Sequence, residues 1–304
     1  MLTHRCGARP WRAAFPVVGT LLALAFCVCL GVAPTFAQPN FPTAIPQTKF
    51  NSGQDIVPSF DGWIHNADGT FTFVFGYLNR NYKQELAIPA GPENKLETGP
   101  ADQGQPTYFL PRRHAFVFKV TVPADWGKKE LVWSITANGQ TEKTYASLQL
   151  EEEIIPRVIM THGGLSPGLD DPNKPASISI VPVTNATIGS PVNITALVSD
   201  DGLPKPRVLK ARAEVTPGKA QSNSAGGGRR SGLAVSWFEY RGPAKVAFSP
   251  SEPIHVGTPG EPIIDGKVQV TAQFPEPGVY VLRATADDGG LTTTADVAVN
   301  VTRP

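Results

Sequence analysis

One serine of this sequence lies in a pattern that could act as a nucleophile. Residues 164–168 read GLSPG, which places Ser166 in the Gly-x-Ser-x-Gly pattern of many esterases. The preceding residues, His162-Gly163-Gly164, resemble the segment that forms the oxyanion hole of such enzymes. That chemistry needs the serine on a tight turn between a strand and a helix, because amides at the helix N-terminus stabilise the oxyanion. The next seven residues, LDDPNKP, contain two prolines and predict no helix. The sequence therefore predicts a linker here and a protein that is not an enzyme.

Three pairs of adjacent aspartates could supply oxygen ligands to a metal ion. Calcium takes about six to eight hard oxygen ligands, and carboxylates from several loops can provide them. Two of the pairs end an apolar run and are followed by glycine, and Asp-Gly is also common in turns that bind no metal. The sequence leaves both interpretations open and favours turns. The candidate calcium ligands are Asp170, Asp171, Asp200, Asp201, Asp287 and Asp288.

Four aromatic residues of the N-terminal half are candidates for binding a sugar ring. They stand near predicted turns rather than inside alternating runs, so their rings could stay exposed and stack on carbohydrate. The alternative is that they complete a hydrophobic core, as large aromatic side chains commonly do. The four residues are Trp63, Tyr82, Tyr108 and Trp126.

The elements that must position these residues are predicted to be β-strands. After residue 38 the sequence has no helical period of useful length, and short alternating runs recur between clusters of Pro, Gly and Asn. Aromatic residues alternate from Phe71 to Tyr77, and Asn138-Gly139 predicts a tight hairpin. We therefore expect an all-β protein of two tandem β-sandwich domains. The expected segments are a first domain at 55–158, a linker at 159–175 and a second domain at 176–304.

The second domain resembles a known repeat. Its recognisable pieces are Trp237 on the third expected strand, the Gly242-Pro243 break, Phe274 ahead of a PGVY segment, and an Asp-Gly turn before the last strand. Together, the segments AVSWFEYRGPAKVAFSP and VTAQFPEPGVYVLRATADDGGLTTTADVAVNV resemble the polycystic-kidney-disease (PKD) type of immunoglobulin-like repeat. The resemblance implies a seven-strand sandwich, usually without catalytic activity, in a secreted or surface protein. The first domain shows no such resemblance.

An immunoglobulin-like second domain would bring the three aspartate pairs together. The loops after its second and sixth strands lie at one end of the sandwich, near the start of its first strand. Those loops hold two of the pairs, and the linker that enters the first strand holds the third. Calcium bound there would order the junction between the domains. Without calcium, basic residues of the neighbouring insertion could neutralise the carboxylates.

The first 37 residues predict a secretory signal peptide. Three arginines precede an apolar run at 15–32, and Thr35-Phe36-Ala37 is a small-residue cleavage site. An uncleaved membrane anchor is the alternative, because the run approaches the length that spans a bilayer. We expect cleavage after Ala37, an extended arm at 38–54, and no membrane span in the mature chain. The protein would then be exported to the periplasm, the cell surface or the extracellular space.

Composition limits the partners of the mature chain. All three cysteines lie inside the expected signal peptide, so the mature chain has no disulfide. The signal peptide also holds three of the 27 lysine and arginine residues and none of the 26 acidic ones, which leaves the mature chain nearly neutral. Such a balance gives no overall attraction to nucleic acid or to an anionic membrane.

A basic insertion at 203–232 interrupts the second domain. It contains seven lysine and arginine residues and one glutamate in a sequence rich in Pro, Gly and Ser, which predicts a flexible loop. The charges either keep this loop solvated or tether the chain to an anionic surface or polysaccharide.

Together these features predict an exported, non-catalytic binding or structural module of the adhesion or scaffold type. Its expected partner is a protein or polysaccharide at the cell surface, and calcium is its one candidate cofactor. The alternative is a carbohydrate-binding accessory protein that acts through the aromatic residues of the first domain.

Overall fold

The alternating runs of the sequence form β-strands in a computed structural model of the chain, which describes residues 49–164, 170–206 and 232–304. Helical structure within these residues is limited to a 3-10 turn at Leu150–Glu152 and a short helix, α1, at Pro156–Met160. The predicted all-β fold class is therefore confirmed.

Several predicted features fall outside the described residues. They are the signal peptide, Ser166 of the esterase-like pattern and most of the basic insertion. Among the residues that are described, no helix is long and apolar enough to cross a membrane.

The strands between residues 56 and 146, here called the first domain, include two three-stranded antiparallel sheets that pack against each other. Its strands are β1 (Ile56–His65), β2 (Phe71–Asn79), β3 (Leu86–Ala87), β4 (Asn94–Leu96), β5 (Tyr108–Phe109), β6 (Arg112–Val122), β7 (Leu131–Ala137) and β8 (Gln140–Ala146). One sheet has the order β1-β2-β6 and the other β4-β7-β8, while β3 pairs with β5. Asn138 and Gly139 join β7 to β8 with positive φ at both residues, which confirms the predicted hairpin.

Aromatic side chains fill the space between these two sheets. The rings of Phe75 on β2 and Phe118 on β6 stack with centroids 5.0 Å apart. Both meet Trp133 of the facing sheet edge-on, at 6.0 and 4.8 Å. The three rings are buried, and removing each from water contributes about 2–3 kcal/mol to stability. The alternation from Phe71 to Tyr77 therefore points into the core, as the sequence predicted.

The strands between residues 177 and 302, here called the second domain, form a two-sheet sandwich with immunoglobulin-like strand order. Its strands are β9 (Ser177–Ile180), β10 (Asn185–Thr187), β11 (Val192–Asp200), β12 (Ala234–Arg241), β13 (Ala247–Ser249), β14 (Ile254–His255), β15 (Ile263–Gln273), β16 (Gly278–Asp287) and β17 (Thr292–Thr302). One sheet has the order β13-β15-β11-β9 and the other β10-β17-β16-β12-β14. All pairings are antiparallel except that of β10 with β17. The first strand, β9, thus shares a sheet with β11, while β12 shares the other sheet with the last two strands, β16 and β17, as the corresponding strands do in immunoglobulin domains.

The core of the second domain follows the predicted alternation. On β15, Val268, Val270 and Ala272 are buried, while the residues between them are exposed or half-buried. Near the start of β16, the hydroxyl of Tyr280 donates a 3.0 Å hydrogen bond to the carbonyl of Glu276. A tyrosine bonded to the backbone a few residues upstream is a recurrent feature at this strand of immunoglobulin-like sandwiches.

The two described ends of the basic insertion meet at one turn. Pro206 packs on Gly260, whose carbonyl accepts a hydrogen bond from the Lys205 ammonium. On the returning side, Gly232 packs against Pro259. The chain therefore leaves the sandwich and re-enters it beside the same turn, at Pro259 and Gly260.

The described end of the expected N-terminal arm is bonded to the first domain. The carbonyl of Phe50 accepts a hydrogen bond from the amide of Tyr82, at 2.9 Å. The amide of Gln54 donates to the side-chain oxygen of Asn81, at 2.7 Å. Because Asn81 is fully buried, these bonds fix the entry of the chain into β1.

We predict that Gly76→Ala destabilises the first domain by about 3 kcal/mol, because overpacking of a closed site has costs of this order. A methyl group on Gly76 would overlap the carboxylate of Asp61 and the carbonyl of His114. The measurement is the free energy of unfolding in denaturant. The control Gly69→Ala places its methyl group in open space and should cost about 1 kcal/mol, from positive φ alone. Equal losses in the two variants would contradict the steric argument.

Candidate functional site

The two domains meet where strand β12 ends against a loop of the first domain. Tyr240 is buried among the core residues of the first domain, and its hydroxyl donates to the carbonyl of Gly104. The next residue, Arg241, donates two hydrogen bonds to the Asp102 carboxylate, at 2.6 and 3.0 Å, and a third to the carbonyl of Gln105, at 2.8 Å. The end of β12 thus binds a loop about 136 residues earlier in the chain. Tyr240 contributes hydrophobic packing and a hydrogen bond, and Arg241 contributes hydrogen bonds.

That loop, between β4 and β5, is held in shape by buried amide side chains. Gln105 is fully buried and donates to the carbonyls of Asn94 and Ala101, at 3.2 and 2.6 Å. Asn94, also fully buried, donates to the carbonyl of Pro106 at 2.8 Å and accepts from the indole of Trp133 at 3.0 Å. The loop is therefore fastened to the aromatic core, although its Pro- and Gly-rich sequence gives no sign of this.

Arg283 on β16 forms a second contact between the domains. Its guanidinium lies 3.8 Å from the ring centre of Tyr240 and donates to the carbonyl of Val117 on β6, at 2.6 Å. Two further bonds to the Asp296 carboxylate, at 2.7 and 2.8 Å, balance its charge. Further hydrogen bonds join Lys245 to Glu85 at 2.6 Å, the Gly242 amide to the Thr107 hydroxyl at 3.1 Å, and the Thr107 amide to the carbonyl of Tyr240 at 3.3 Å. The Thr292 hydroxyl donates to the carbonyl of Met160, at the start of the expected linker, at 3.0 Å.

Glu239 places a buried carboxyl group at this junction. Its residue is only 3% exposed, one carboxyl oxygen accepts from the amide of Val246 at 2.9 Å, and the other is buried without a hydrogen-bond partner. Burial, assisted by the negative charge of Glu85, raises the pKa of Glu239 to about 8 against the opposing effects of the Val246 amide and Lys245. The group is therefore mainly protonated at neutral pH.

A cleft runs along the junction on the side of Arg283. Its wider part, about 650 Å³, lies between β6, α1 and the β16–β17 hairpin, and a part of about 190 Å³ continues inward toward Glu239. Phe116 and His162 line both parts with positive φ, at 56° and 50°, a backbone conformation that non-glycine residues seldom adopt. His162 belongs to the esterase-like segment, but its serine lies outside the described residues, so the prediction of no catalysis stays a prediction.

The aspartate pairs make the backbone hydrogen bonds that are typical of turns. Asp287 accepts from the amide of Gly289 at 2.7 Å, and Asp200 from that of Gly202 at 2.9 Å. Similar local bonds run from Gly290 and Leu291 to Asp288, from Leu203 to Asp201 and from Asn173 to Asp171. Asp201 also accepts from the amide of Lys174 in the linker, 27 residues earlier.

The six predicted ligands do not form one site. Asp170 is exposed, and Asp171 pairs with Arg157 at 2.7 Å. In contrast, Asp200 and Asp288 lie close enough for the charge of Asp200 to raise the pKa of Asp288, an effect added to burial. Burial, with a smaller effect of Asp201, also raises the pKa of Asp200. Within the described ranges, no group of three or more His, Cys, Asp or Glu side chains is arranged to hold a metal ion.

The four candidate sugar-binding aromatics do not form an exposed face. Trp63, Tyr108 and Trp126 are only 7%, 6% and 8% exposed. Each uses its polar atom internally: Trp63 donates to the carbonyl of Gln149, Tyr108 to Glu85 and Trp126 to the carbonyl of Lys129. Tyr82 is 36% exposed, and the Arg112 guanidinium lies 4.0 Å from its ring centre. The alternative reading, that these rings complete the core, describes three of the four.

Comparisons with known proteins identify no family. No family model matches the chain, and no curated protein matches it. Among solved structures, the chain is similar to domains 4 and 5 of the S-layer protein SbsC, with 10% identity over 58% of this chain and 66% of that one, and a TM-score of 0.24. It is similar to the D00-D0 domain of intimin, with 12% identity, 82% and 100% coverage, and a TM-score of 0.25. It is also similar to a tandem of titin immunoglobulin domains, with 7% identity, 83% and 100% coverage, and a TM-score of 0.21.

These similarities are too distant to carry a functional argument. The chain spans about 30% of a longer SbsC structure that it also matches. The immunoglobulin-like assignment rests on strand order and on the Tyr280 bond, whereas the PKD type remains a resemblance in sequence.

We predict that Arg241→Ala uncouples the domains. The loss removes three hydrogen bonds, two of them to a half-exposed carboxylate that solvent screens, so about 2 kcal/mol is expected. In calorimetry the thermal midpoint should fall by about 4–8 °C and the transition should broaden or split. The control Lys143→Ala removes an ion pair to Glu97 that lies within the first domain, and it should leave the transition sharp. An unbroadened transition in Arg241→Ala would mean that this contact does not couple the domains.

We predict that Glu239→Gln makes the protein more stable than wild type above pH 5, by an amount that grows with pH up to about 8. The pKa of Glu239 in the folded protein, about 8, lies above the unfolded value of 4.5, so wild-type stability is fully present below pH 4.5 and declines between these values. The slope approaches about 1.4 kcal/mol per pH unit for one proton.

The measurement is the difference in free energy of unfolding between wild type and Glu239→Gln at several pH values, which cancels the titration of other groups. The control Glu130→Gln replaces an exposed glutamate of the first domain and gives the background effect of losing a carboxyl group. A difference that does not change with pH would show that Glu239 is ionised in the folded protein.

Proposed function

We propose that the chain is a non-catalytic structural or binding module of the adhesion or scaffold type, which acts outside the cytoplasm at the cell envelope or in the extracellular space. The observation that carries the proposal is the junction, where Tyr240 and Arg241 fasten the second sandwich to the core and loop of the first. Domains in one chain move relative to each other by default unless a specific interface holds them. Here buried side chains and charge-assisted hydrogen bonds hold them.

A fixed junction suits a module that presents surfaces rather than one that closes around a substrate. Binding by two rigid domains does not have to restrict their relative motion, so less of the interaction free energy is lost on association. The expected partner is a protein or polysaccharide at the cell surface. Export rests on the N-terminal sequence, since the basic start, apolar run and small-residue site are those of a cleaved signal peptide.

The carbohydrate-binding alternative has little support from the first domain. Stacking on a sugar needs an exposed aromatic face, and three of the four candidate rings are buried. The scaffold or adhesion function is therefore the one that we retain.

The proposal is tested by producing the full chain in a bacterial host with an intact export pathway. We expect the chain in the exported fraction with Gln38 as its N-terminus by mass spectrometry, and co-sedimentation of the purified protein with isolated cell envelopes. A panel of p-nitrophenyl esters should show no turnover above buffer.

Two results would overturn the proposal. One is an unprocessed chain that remains in the cytoplasm. The other is ester hydrolysis that Ser166→Ala abolishes while Ser222→Ala, a control at a second serine of the chain, retains it.

A further inference from the structure

Three oxygen-bearing side chains from separate segments lie together at the linker end of the second domain. They are Asn173 from the linker, Asp200 at the end of β11, and Asp288 in the loop after β16. Asn173 is 5% exposed and Asp288 is 1% exposed. The Asn173 amide group lies against the Asp288 carboxylate, with 3.3 Å between nitrogen and oxygen. The amide of the next residue, Lys174, donates to the Asp201 carboxylate at 3.1 Å, which holds the linker beside the end of β11, where Asp200 lies.

Two oxygens of this group lack any hydrogen-bond donor. The carboxamide oxygen of Asn173 and one carboxylate oxygen of Asp200 are buried and without a partner among the described residues. A buried acceptor left unpaired costs about 1–3 kcal/mol, so a bound cation that these two oxygens coordinated would stabilise the fold. The bond from Asn173 to Asp288 is also longer than the 2.7–2.9 Å that is usual for a donor facing a carboxylate.

No basic side chain of the described residues neutralises the two carboxylates. Neither Asp200 nor Asp288 has a lysine or arginine nitrogen within ion-pair distance there. Nearby Lys205 turns instead to the carbonyl of Gly260, and Arg157 bonds to Asp171. Two close, desolvated carboxylates without a counter-charge repel each other, and a divalent cation would remove that repulsion.

We propose that Asn173, Asp200 and Asp288 bind a calcium ion. All three offer hard oxygen ligands, and no sulfur or imidazole nitrogen is among them, which disfavours zinc or copper. Ligands from three different segments form an irregular set, which calcium accepts more readily than magnesium, and backbone carbonyls or water would complete its shell. The group has only two acidic side chains, and its third ligand is the neutral amide oxygen of Asn173.

The other aspartate of each pair is excluded from this site. Asp201 accepts from the amides of Leu203 and Lys174, and Asp287 accepts from the amide of Gly289. Among the described residues, Asp201 and Asp287 bond to backbone amides, whereas Asp288 also contacts the Asn173 side chain and Asp200 keeps one buried oxygen without a partner. The inference is independent of the proposed function, because it concerns only the end of the second domain.

The experiment is thermal unfolding of the purified chain in excess EDTA, in millimolar CaCl₂, and in MgCl₂ at the same concentration as a control for ionic strength. At about 100 times its dissociation constant, calcium should raise the midpoint by roughly 5 °C or more, with a smaller effect of magnesium. Equilibrium dialysis with radioactive calcium should give one bound ion per chain.

Neighbouring variants give matched tests within each pair. Asp200→Asn and Asp288→Asn should each abolish the calcium shift, whereas Asp201→Asn and Asp287→Asn should keep it. If Asp288→Asn fails to fold, Asp200→Asn together with the dialysis measurement still decides the outcome. The proposal is overturned if about 10 mM calcium gives neither a shift of the midpoint nor bound calcium. That concentration exceeds the dissociation constants of the weakest extracellular calcium-binding modules. A shift that survives in Asp200→Asn, or that disappears equally in Asp287→Asn, also overturns it.

Discussion

The side chain of Tyr240 belongs to the core of one domain while its backbone belongs to a strand of the other. Its ring is buried among first-domain residues, its hydroxyl binds the loop at Gly104, and the Arg283 guanidinium covers its face. The loop can receive the ring only because Asn94 and Gln105 fix it to the aromatic core. The junction therefore depends on the first domain being folded, and the second domain contributes the residue that closes the first core.

Much of the fold could be predicted because the alternation of apolar and polar residues along a strand indicates which of its faces is buried. The alternation around Phe75 and Val270 indicates which face is inside, and Asn138-Gly139 specifies its turn locally. The junction could not be predicted, because Arg241 and Asp102 are 139 residues apart in the sequence and each looks like an ordinary surface charge. Only the folded structure shows that they are in contact. One signal was available: Glu239 occupies the same face of β12 as Val235 and Trp237, so a charged residue stands at an inward position.

The candidate site shows how far residue type alone can mislead. Their position near turns predicts that the four aromatic residues are exposed, yet Trp63, Tyr108 and Trp126 are buried and use their polar atoms in internal hydrogen bonds. For the aspartates, the sequence points to the linker end of the second domain but does not indicate that Asp288 is the buried member of its pair or that Asn173 lies against it. Both depend on the path of each loop, which leaves Asn173, an uncharged residue with no conspicuous motif, among the buried oxygens.

The two described ends of the basic insertion lie at one turn, and this has a consequence for how the sequence of the insertion can vary. Because Pro206 and Gly232 both rest on the turn at residues 259–260, the sandwich sets the distance between these two anchors, whatever sequence joins them. Doubling the length of a flexible connection between fixed ends costs only about 0.6 kcal/mol. Evolution, or an engineer grafting an epitope, can therefore vary the length and sequence between these anchors with little effect on the fold that carries them.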